Sequence, residues 1–358
     1  MKDSIALLQE LIALRPVSAD IPAVNRATDL LHAYLAAGGA HCRIEDCDGR
    51  RVLYAATTDT QTPALLLNAH VDVVPAADQQ FIPREVDGWL HGRGGADCLG
   101  HAVICAQTVL RNLGKASVGA IFSADEEIGG LTTRDMVQRG YGATRLILVV
   151  DGGCQAIAVA QKGILSLTLT ATGKPAHSST PWAGDNAIDR LLDGYQKIRH
   201  FFPAVQPGDE WHNTLVTACI QGGTAHNRVP DEARMTINIR YIDPDERDTV
   251  IERLREQSGL QVDVLMECPP VVFPENTPAF ADLAACMKQE LGCDIAFKRM
   301  NGATDARHFA VLGVPVAIVG ARGRDVHGND EAVEIASLRQ YEELFTVYAR
   351  QIAGVSHA

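Results

Sequence analysis

Val118-Gly119-Ala120-Ile121-Phe122-Ser123-Ala124-Asp125-Glu126-Glu127-Ile128-Gly129-Gly130 is the stretch that decides the fold. Its apolar start reads as a buried strand. The chain then meets two adjacent carboxylates and a glycine pair, and a helix over Thr132 to Arg139 follows. Neighbouring side chains alternate direction along an extended segment, so Glu126 and Glu127 are expected to point different ways. One could ligate a metal while the other works on a water. A solvated pair of acids at a helix start is the competing reading.

The same alternation extends outward from this stretch. Leu30 to Ala37 reads as the end of a helix closed by Gly38-Gly39, and Gly100 to Asn112 as another helix. Arg51 to Ala56, Ala64 to Asn68 and Arg145 to Val150 read as strands, the last an uninterrupted apolar run. Such strands between helices predict an α/β domain with a sheet covered on both faces. The pattern changes after Lys162-Gly163. Ile164 to Thr172 alternates as a half-exposed strand should, followed by a helix over Asn186 to Phe202 with Asp185 as candidate cap. Strands over Thr214 to Gln221 and Ala233 to Ile242 come next. A helix over Pro244 to Ser258, with Asp243 as candidate cap, and a strand over Gln261 to Met266 complete the order. Strand-helix-strand-strand-helix-strand is the signature of a ferredoxin-like unit. It predicts an α+β domain over residues 163–271, inserted into an α/β domain made of 1–162 and 272–358. A helix near Thr277 to Leu291 and a strand at Val314 to Val319 resume the α/β pattern.

Composition sets the limits. The chain has 358 residues, 46% apolar and 21% charged, which suits a two-domain globular protein. A net charge of −12 argues against nucleic acid or an anionic membrane surface as the main partner. No segment approaches the ~20 apolar residues needed to cross a bilayer. Ser4 to Ile12 reads as an amphipathic helix and not as a signal peptide. Nine cysteines without a CxxC pair fit reduced thiols in a cytoplasmic enzyme.

Four further segments fall where strands of the α/β domain are expected to end, the place where such sheets hold ligands. Leu65 to Pro75 contains His70 and Asp72, two apart and so on one face of an extended segment. Asp72 could accept the second imidazole N–H and orient His70 as a ligand. His91-Gly92-Arg93-Gly94-Gly95-Ala96-Asp97-Cys98-Leu99-Gly100 resembles a dinucleotide loop at first sight. Asp97 stands where the third glycine should be, and an anion there has the wrong sign for a phosphate. It suits a cation, while Cys98 reads as structural. Asp151-Gly152-Gly153 follows Val150, and Asp325-Val326-His327-Gly328-Asn329-Asp330-Glu331 follows the strand ending at Val319. Two imidazoles and three carboxylates suit Zn²⁺, with Co²⁺ or Mn²⁺ as substitutes, better than Ca²⁺ or Mg²⁺. Five ligands exceed one closed tetrahedral site. They suffice for two ions about 3.5–4 Å apart sharing a carboxylate, with Glu126 left as general base.

Taken in order, these segments resemble the dinuclear zinc amidohydrolases and exopeptidases of metallopeptidase clan MH. That group includes acetylornithine deacetylase, succinyl-diaminopimelate desuccinylase, carboxypeptidase G, aminoacylase and several dipeptidases. The resemblance spans nearly the whole chain. It implies a mixed sheet flanked by helices, with the inserted ferredoxin-like domain acting as lid and dimerisation surface. It implies two zinc ions: His70 and Asp151 on the first, Glu127 and His327 on the second, and Asp97 bridging. Asp72 would orient His70, Glu126 would be the general base, and the peptide after Asp97 would be cis. Gly173-Lys174-Pro175-Ala176-His177-Ser178-Ser179 resembles the segment whose histidine stabilises the oxyanion in the partner subunit's site. Gly222 to Pro230 resembles the segment whose asparagine, here Asn227, contacts substrate, and Arg307 sits where relatives hold a substrate carboxylate or shape the pocket. The implied reaction is hydrolysis of an amide bond in an N-acyl-amino acid or dipeptide by a homodimeric enzyme. A non-catalytic relative that binds a metabolite or peptide is the alternative from another class. Within the enzymes, a dipeptidase and a mononuclear enzyme remain open. Two departures stand out: Cys98-Leu99-Gly100 replaces the usual Met-Lys-Gly, and Asp151 stands where the deacetylases usually carry Glu. The second is familiar from dipeptidase and aminoacylase relatives and weighs against a specific acetylornithine or succinyl-diaminopimelate assignment.

Overall fold

The computed structural model describes residues 3–354. The chain divides into two compact units. One comprises the residues up to Val159, Phe273–Lys298 and those from Thr304 onward; the other comprises Ala160–Val272 and Arg299–Ala303.

The first unit is built on a mixed sheet. Its strands lie in the order His41–Cys47, Arg50–Ala56, Val118–Ser123, Leu65–His70, Leu146–Val150, Val316–Val319, Ala156–Gln161. Leu65–His70 runs parallel to both of its neighbours, and Val316–Val319 runs parallel to Leu146–Val150. Arg50–Ala56 is antiparallel to both of its neighbours. Every residue of Leu65–His70, Val118–Ser123 and Leu146–Val150 is buried, as uninterrupted apolar runs require. Register aligns their carboxyl ends: His70 pairs with Ser123, and Val319 with Val150. The helix Leu99–Arg111 is buried from Leu99 to Leu110. The helix Ile335–Ile352, not predicted from the sequence, is tied to it by Arg111, whose guanidinium reaches the buried Glu342 at 2.6 Å.

A second, small antiparallel sheet matters for the site. Its order is Gly323–Arg324, Ala332–Glu334, Trp89–His91, Arg84–Val86. The segments carrying Asp97 and His327 leave from this small sheet, not directly from the main one as the sequence suggests. The strands involved are only two or three residues long, too short for a periodicity signal.

The inserted unit has the ferredoxin-like order: Gln261–Cys268, Gly163–Thr172, Glu232–Tyr241, Thr214–Gly222, all neighbours antiparallel. Leu165, Leu167 and Leu169 point into its core with Ile237 and Ile239, while Ser166, Thr168 and Thr170 alternate outward. Leu191 of the helix Ala187–Arg199 and Leu254 of the helix Glu246–Ser258 close that core. Both expected caps shift. Asn186 caps the first helix by accepting from the Ile188 amide at 3.0 Å, and Asp185 pairs with Arg190 instead. Asp245 precedes the second helix, and its amide donates to the Asp243 carboxylate at 2.9 Å.

Candidate metal centre

Three of the expected ligands sit at the aligned carboxyl ends of the parallel strands, and the turns there place them. His70 ends its strand and is buried, with 1% of its side chain exposed. Its Nδ1 lies 2.8 Å from the main-chain oxygen of Asp72, which can only accept. Nδ1 therefore carries the proton, and Nε2 is left to bind a cation when the ring is neutral. Asp72 orients His70 mainly through this carbonyl. Its carboxylate is farther away, 3.4 Å from Nδ1, and has another task. It accepts from the Ser18 hydroxyl at 2.7 Å and from the amides of Glu126 and Glu127 at 3.1 and 3.4 Å. The buried Asp72 thus holds the turn that carries the two glutamates.

That turn corrects one expectation. Glu126–Ile128 is a single 3₁₀ turn, not an extended segment. Its side chains still diverge: Glu126 faces Arg307, whose Nη1 is 3.5 Å from Oε1, and Glu127 faces His327, whose Nε2 is 3.2 Å from its Oε1. Gly129 and Gly130 follow at φ 127° and 64°, positions that L side chains avoid.

Asp97 is central. One carboxylate oxygen lies 2.9 Å from His70 Nε2 and the other 3.1 Å from His327 Nε2. The Asp97–Cys98 peptide is cis. Donor atoms of His70, Asp97, Cys98 and Asp151 fall within 4.8 Å of one another, and so do those of Asp97, Glu127 and His327. Asp97 belongs to both groups. Cys98 is near but engaged: its thiol donates to the Val150 carbonyl at 3.0 Å, and burial pushes its ionisation far up. It remains a structural thiol.

The electrostatics are those of crowded anions. Burial pushes Asp151 well above the ordinary carboxylate range, with Asp97 adding repulsion, and burial also raises Glu127. Glu126 is pushed up to about 8, by burial first and then by Asp305, while His70 and Arg307 pull the other way. Asp97 moves in the opposite direction despite its burial, because His327 and His70 hydrogen-bond to it. Its bond to Asp97, reinforced by the charge of Glu127, raises His327 to about 9. A divalent cation would relieve the repulsion among the carboxylates, and the mixture of imidazole and carboxylate donors fits zinc-like ions. The residues present fit the expected pair of ions.

Arg307 lies in the same place, 3% exposed, with its Nε hydrogen-bonded to His308 Nε2 at 3.2 Å. His177 and Asn227 lie on the inserted unit, close to each other. His177 forms a bridge with Arg228, and its Nδ1 meets the Ser179 hydroxyl at 2.8 Å. The Ser178 amide donates to the Asn227 carbonyl at 3.0 Å. Two contributors escaped the sequence reading. Asp305 accepts from the Ser123 and Thr133 hydroxyls at 2.7 and 2.6 Å and so braces the strand end before Glu126. Glu331, in a segment read only for His327, is buried against the Asp97 loop. A carboxylate set directly before the apolar Ala332-Val333 was the available signal for Glu331; nothing local marks Asp305.

Known proteins resemble this chain along most of its length. The model of the Peptidase family M20/M25/M40 matches residues 66–352. A probable succinyl-diaminopimelate desuccinylase of Staphylococcus aureus (strain MRSA252) is 26% identical, over 96% of this chain and 96% of that protein. An M20-family metallo-carboxypeptidase of Sulfolobus solfataricus superposes with a TM-score of 0.81 at 16% identity, covering 99% of this chain and 100% of the other. A dinuclear metal-binding M20 peptidase of Bacillus subtilis superposes with a TM-score of 0.69 at 16% identity, covering 98% and 100%. The family match spans both units and every segment of the candidate metal centre, and the chain belongs to the peptidase family M20/M25/M40, as a metal-dependent hydrolase of amide bonds.

Proposed function

We propose that this chain cleaves the amide bond of an N-acyl-amino acid or dipeptide bearing a free carboxylate, using two zinc ions and Glu126 as the general base. The observation that carries the reading is the sharing of Asp97 between two donor clusters, with Glu126 beside them and in neither. His70, Asp97 and Asp151 would hold one ion, and Asp97, Glu127 and His327 the other. Bound there, the ions would lower the pKa of the attacking water toward ~7 and polarise the scissile carbonyl. Co²⁺ or Mn²⁺ could substitute for zinc.

Glu126 takes the proton of the attacking water and passes it to the departing nitrogen. Its surroundings suit both halves of that task, because burial raises its proton affinity while His70 and Arg307 favour the carboxylate. Arg307 offers a counter-charge to the substrate carboxylate. His177 reaches the partner subunit's site and donates to the oxyanion there, and Asn227 contacts the substrate. A donor of this kind is worth about 3–4 kcal/mol in related acyl-transfer sites. The inserted unit serves as lid and homodimer surface. Nine cysteines, none paired with another among the described residues, support a cytoplasmic setting.

The relatives' names support the substrate class: one is named for removing a succinyl group from an amino acid, and another is named a carboxypeptidase. Profiling zinc- or cobalt-loaded protein against N-acetyl-amino acids, N-succinyl-amino acids and dipeptides tests the reading. Metal-dependent release of amine from one of these classes is expected. Turnover that survives complete metal removal, or absence of turnover on all three classes, would count against it.

A further inference from the structure

Arg93 and Glu331 form an ion pair within the α/β unit, and both side chains are enclosed, at 3% and 0% exposure. The pair is direct, between Arg93 Nη1 and Glu331 Oε2. The other oxygen of Glu331 accepts three main-chain amides, those of Gly94, Ala96 and Asp97, at 3.0, 3.1 and 3.1 Å. The other terminal nitrogen of Arg93 donates to the carbonyls of His327 and Gly328, at 3.0 Å each. One end of the pair therefore grips the backbone of Asp97, and the other grips the backbone of His327.

Charge burial of this kind is a poor stabiliser, since desolvating two ions offsets most of their attraction and apolar side chains would fill the space as well. What the pair supplies is geometry. The loop Gly92 to Asp97 leaves the strand Trp89–His91, and the loop Asp325 to Glu331 enters its neighbour Ala332–Glu334, where His91 pairs with Ala332. Two-residue and three-residue strands fix the base of these loops but not their tips. His327 needs such help more than His70 does, being 49% exposed and held at φ 63°. Gln80 adds a further donor, from Nε2 to the Gly328 carbonyl at 2.9 Å.

We infer that Arg93 and Glu331 are positioning residues that set the distance between Asp97 and His327 and so the assembly of the two-ion centre. The inference rests on the metal-centre reading above. It assigns the two members different reach. Glu331 holds the backbone of the shared ligand Asp97, so its loss weakens both ions. Arg93 reaches the His327 loop through its forked guanidinium, so replacing it by the single-point donor lysine weakens the ion at Glu127 and His327 more than the other.

The test is calorimetric titration of metal-free protein with Zn²⁺, together with the visible spectrum of the Co²⁺ form, for the unaltered chain, Glu331→Gln and Arg93→Lys. Two ions are expected on the unaltered chain. Glu331→Gln is expected to lose about 10–100-fold in affinity for both, the usual effect of removing a residue that orients a ligand. Arg93→Lys is expected to lose a similar factor for one ion only, with a changed cobalt spectrum and a near-ultraviolet circular dichroism spectrum like that of the unaltered chain. Should Glu331→Gln not fold, Arg93→Lys decides by the same readouts. Unchanged affinities and cobalt spectra in the folded variants overturn the inference and leave the metal-centre reading standing. No zinc binding by the unaltered chain overturns both.

Discussion

Arg307 Nη1 stands 3.5 Å from Glu126 Oε1, with both side chains nearly enclosed at 3% and 11% exposure. The pairing ties the proposed base to the proposed anchor of the substrate carboxylate. Arg307→Met removes a cation that, together with His70, pulls the Glu126 pKa down. The pKa governing the acid limb of the rate profile should move upward, and KM for a carboxylate substrate should rise. A pH profile of kcat/KM checks both; an unmoved acid limb with an unchanged KM would count against this pairing.

Burial also makes Glu126 a source of pH-dependent stability in the metal-free protein. Its folded pKa, raised to about 8, lies above the unfolded value of about 4.3. The neutral form is therefore favoured by folding. Its stabilising contribution is complete below about pH 4.3 and is lost as the pH rises toward 8. Glu126→Gln cannot ionise and should melt higher than the unaltered metal-free chain at pH 8, with the difference closing near pH 4. Thermal melts across this range in a chelating buffer provide the comparison. A lower melting temperature for the variant at pH 8 would sink the argument.

Protons and metal compete at His327. Its bonds to Asp97 and Glu127 hold the imidazolium up to about 9, so at neutral pH the metal-free ring is protonated. An ion binding there must expel that proton. Apparent zinc affinity should fall as the pH falls below 9, and titration at neutral pH should release protons. Calorimetry in two buffers of different ionisation heat counts them. Binding without proton release would exclude His327 as a ligand.

Gly130 has little freedom to change. It sits at φ 64°, and a Cβ there would come within 2.1 Å of the buried Asp305 Oδ1. The left-handed conformation alone costs an L-residue about 1–2 kcal/mol. Gly130→Ala should therefore lower the melting temperature and displace the Glu126 turn, cutting kcat more than KM. Gly140→Ala, also at positive φ but with open space around its Cβ, is the control for backbone strain alone.

Much of this architecture was legible because it follows from long-range rules applied to simple patterns. The all-buried strands Leu65–His70, Val118–Ser123 and Leu146–Val150 announce themselves as apolar runs, and their carboxyl ends carry His70, Glu126 and Asp151. The alternation of Leu165, Leu167 and Leu169 marks the half-exposed sheet of the inserted unit. Short elements were hidden. Trp89–His91 and Ala332–Glu334 are too brief for periodicity, yet they bring Asp97 to His327 from distant parts of the chain. The 3₁₀ turn at Glu126 was hidden as well: the amides of Ile128 and Gly129 close it on the carbonyls of Asp125 and Glu126, but its leading amides, those of Glu126 and Glu127, are held by the distant Asp72. Asp305 depends on the Ser123 and Thr133 hydroxyls, which no local pattern reveals, and Glu331, marked locally only by its place before Ala332-Val333, depends on the distant Arg93.

The division of labour between Glu126 and Glu127 is the central claim, and one paired measurement tests it most directly. Zinc stoichiometry and kcat are determined on the same preparations of the unaltered chain and Glu126→Gln. Two ions per chain in both, with kcat lowered about 10²–10⁴-fold in the variant, is the predicted result. Near-normal turnover by Glu126→Gln with both ions in place would contradict it.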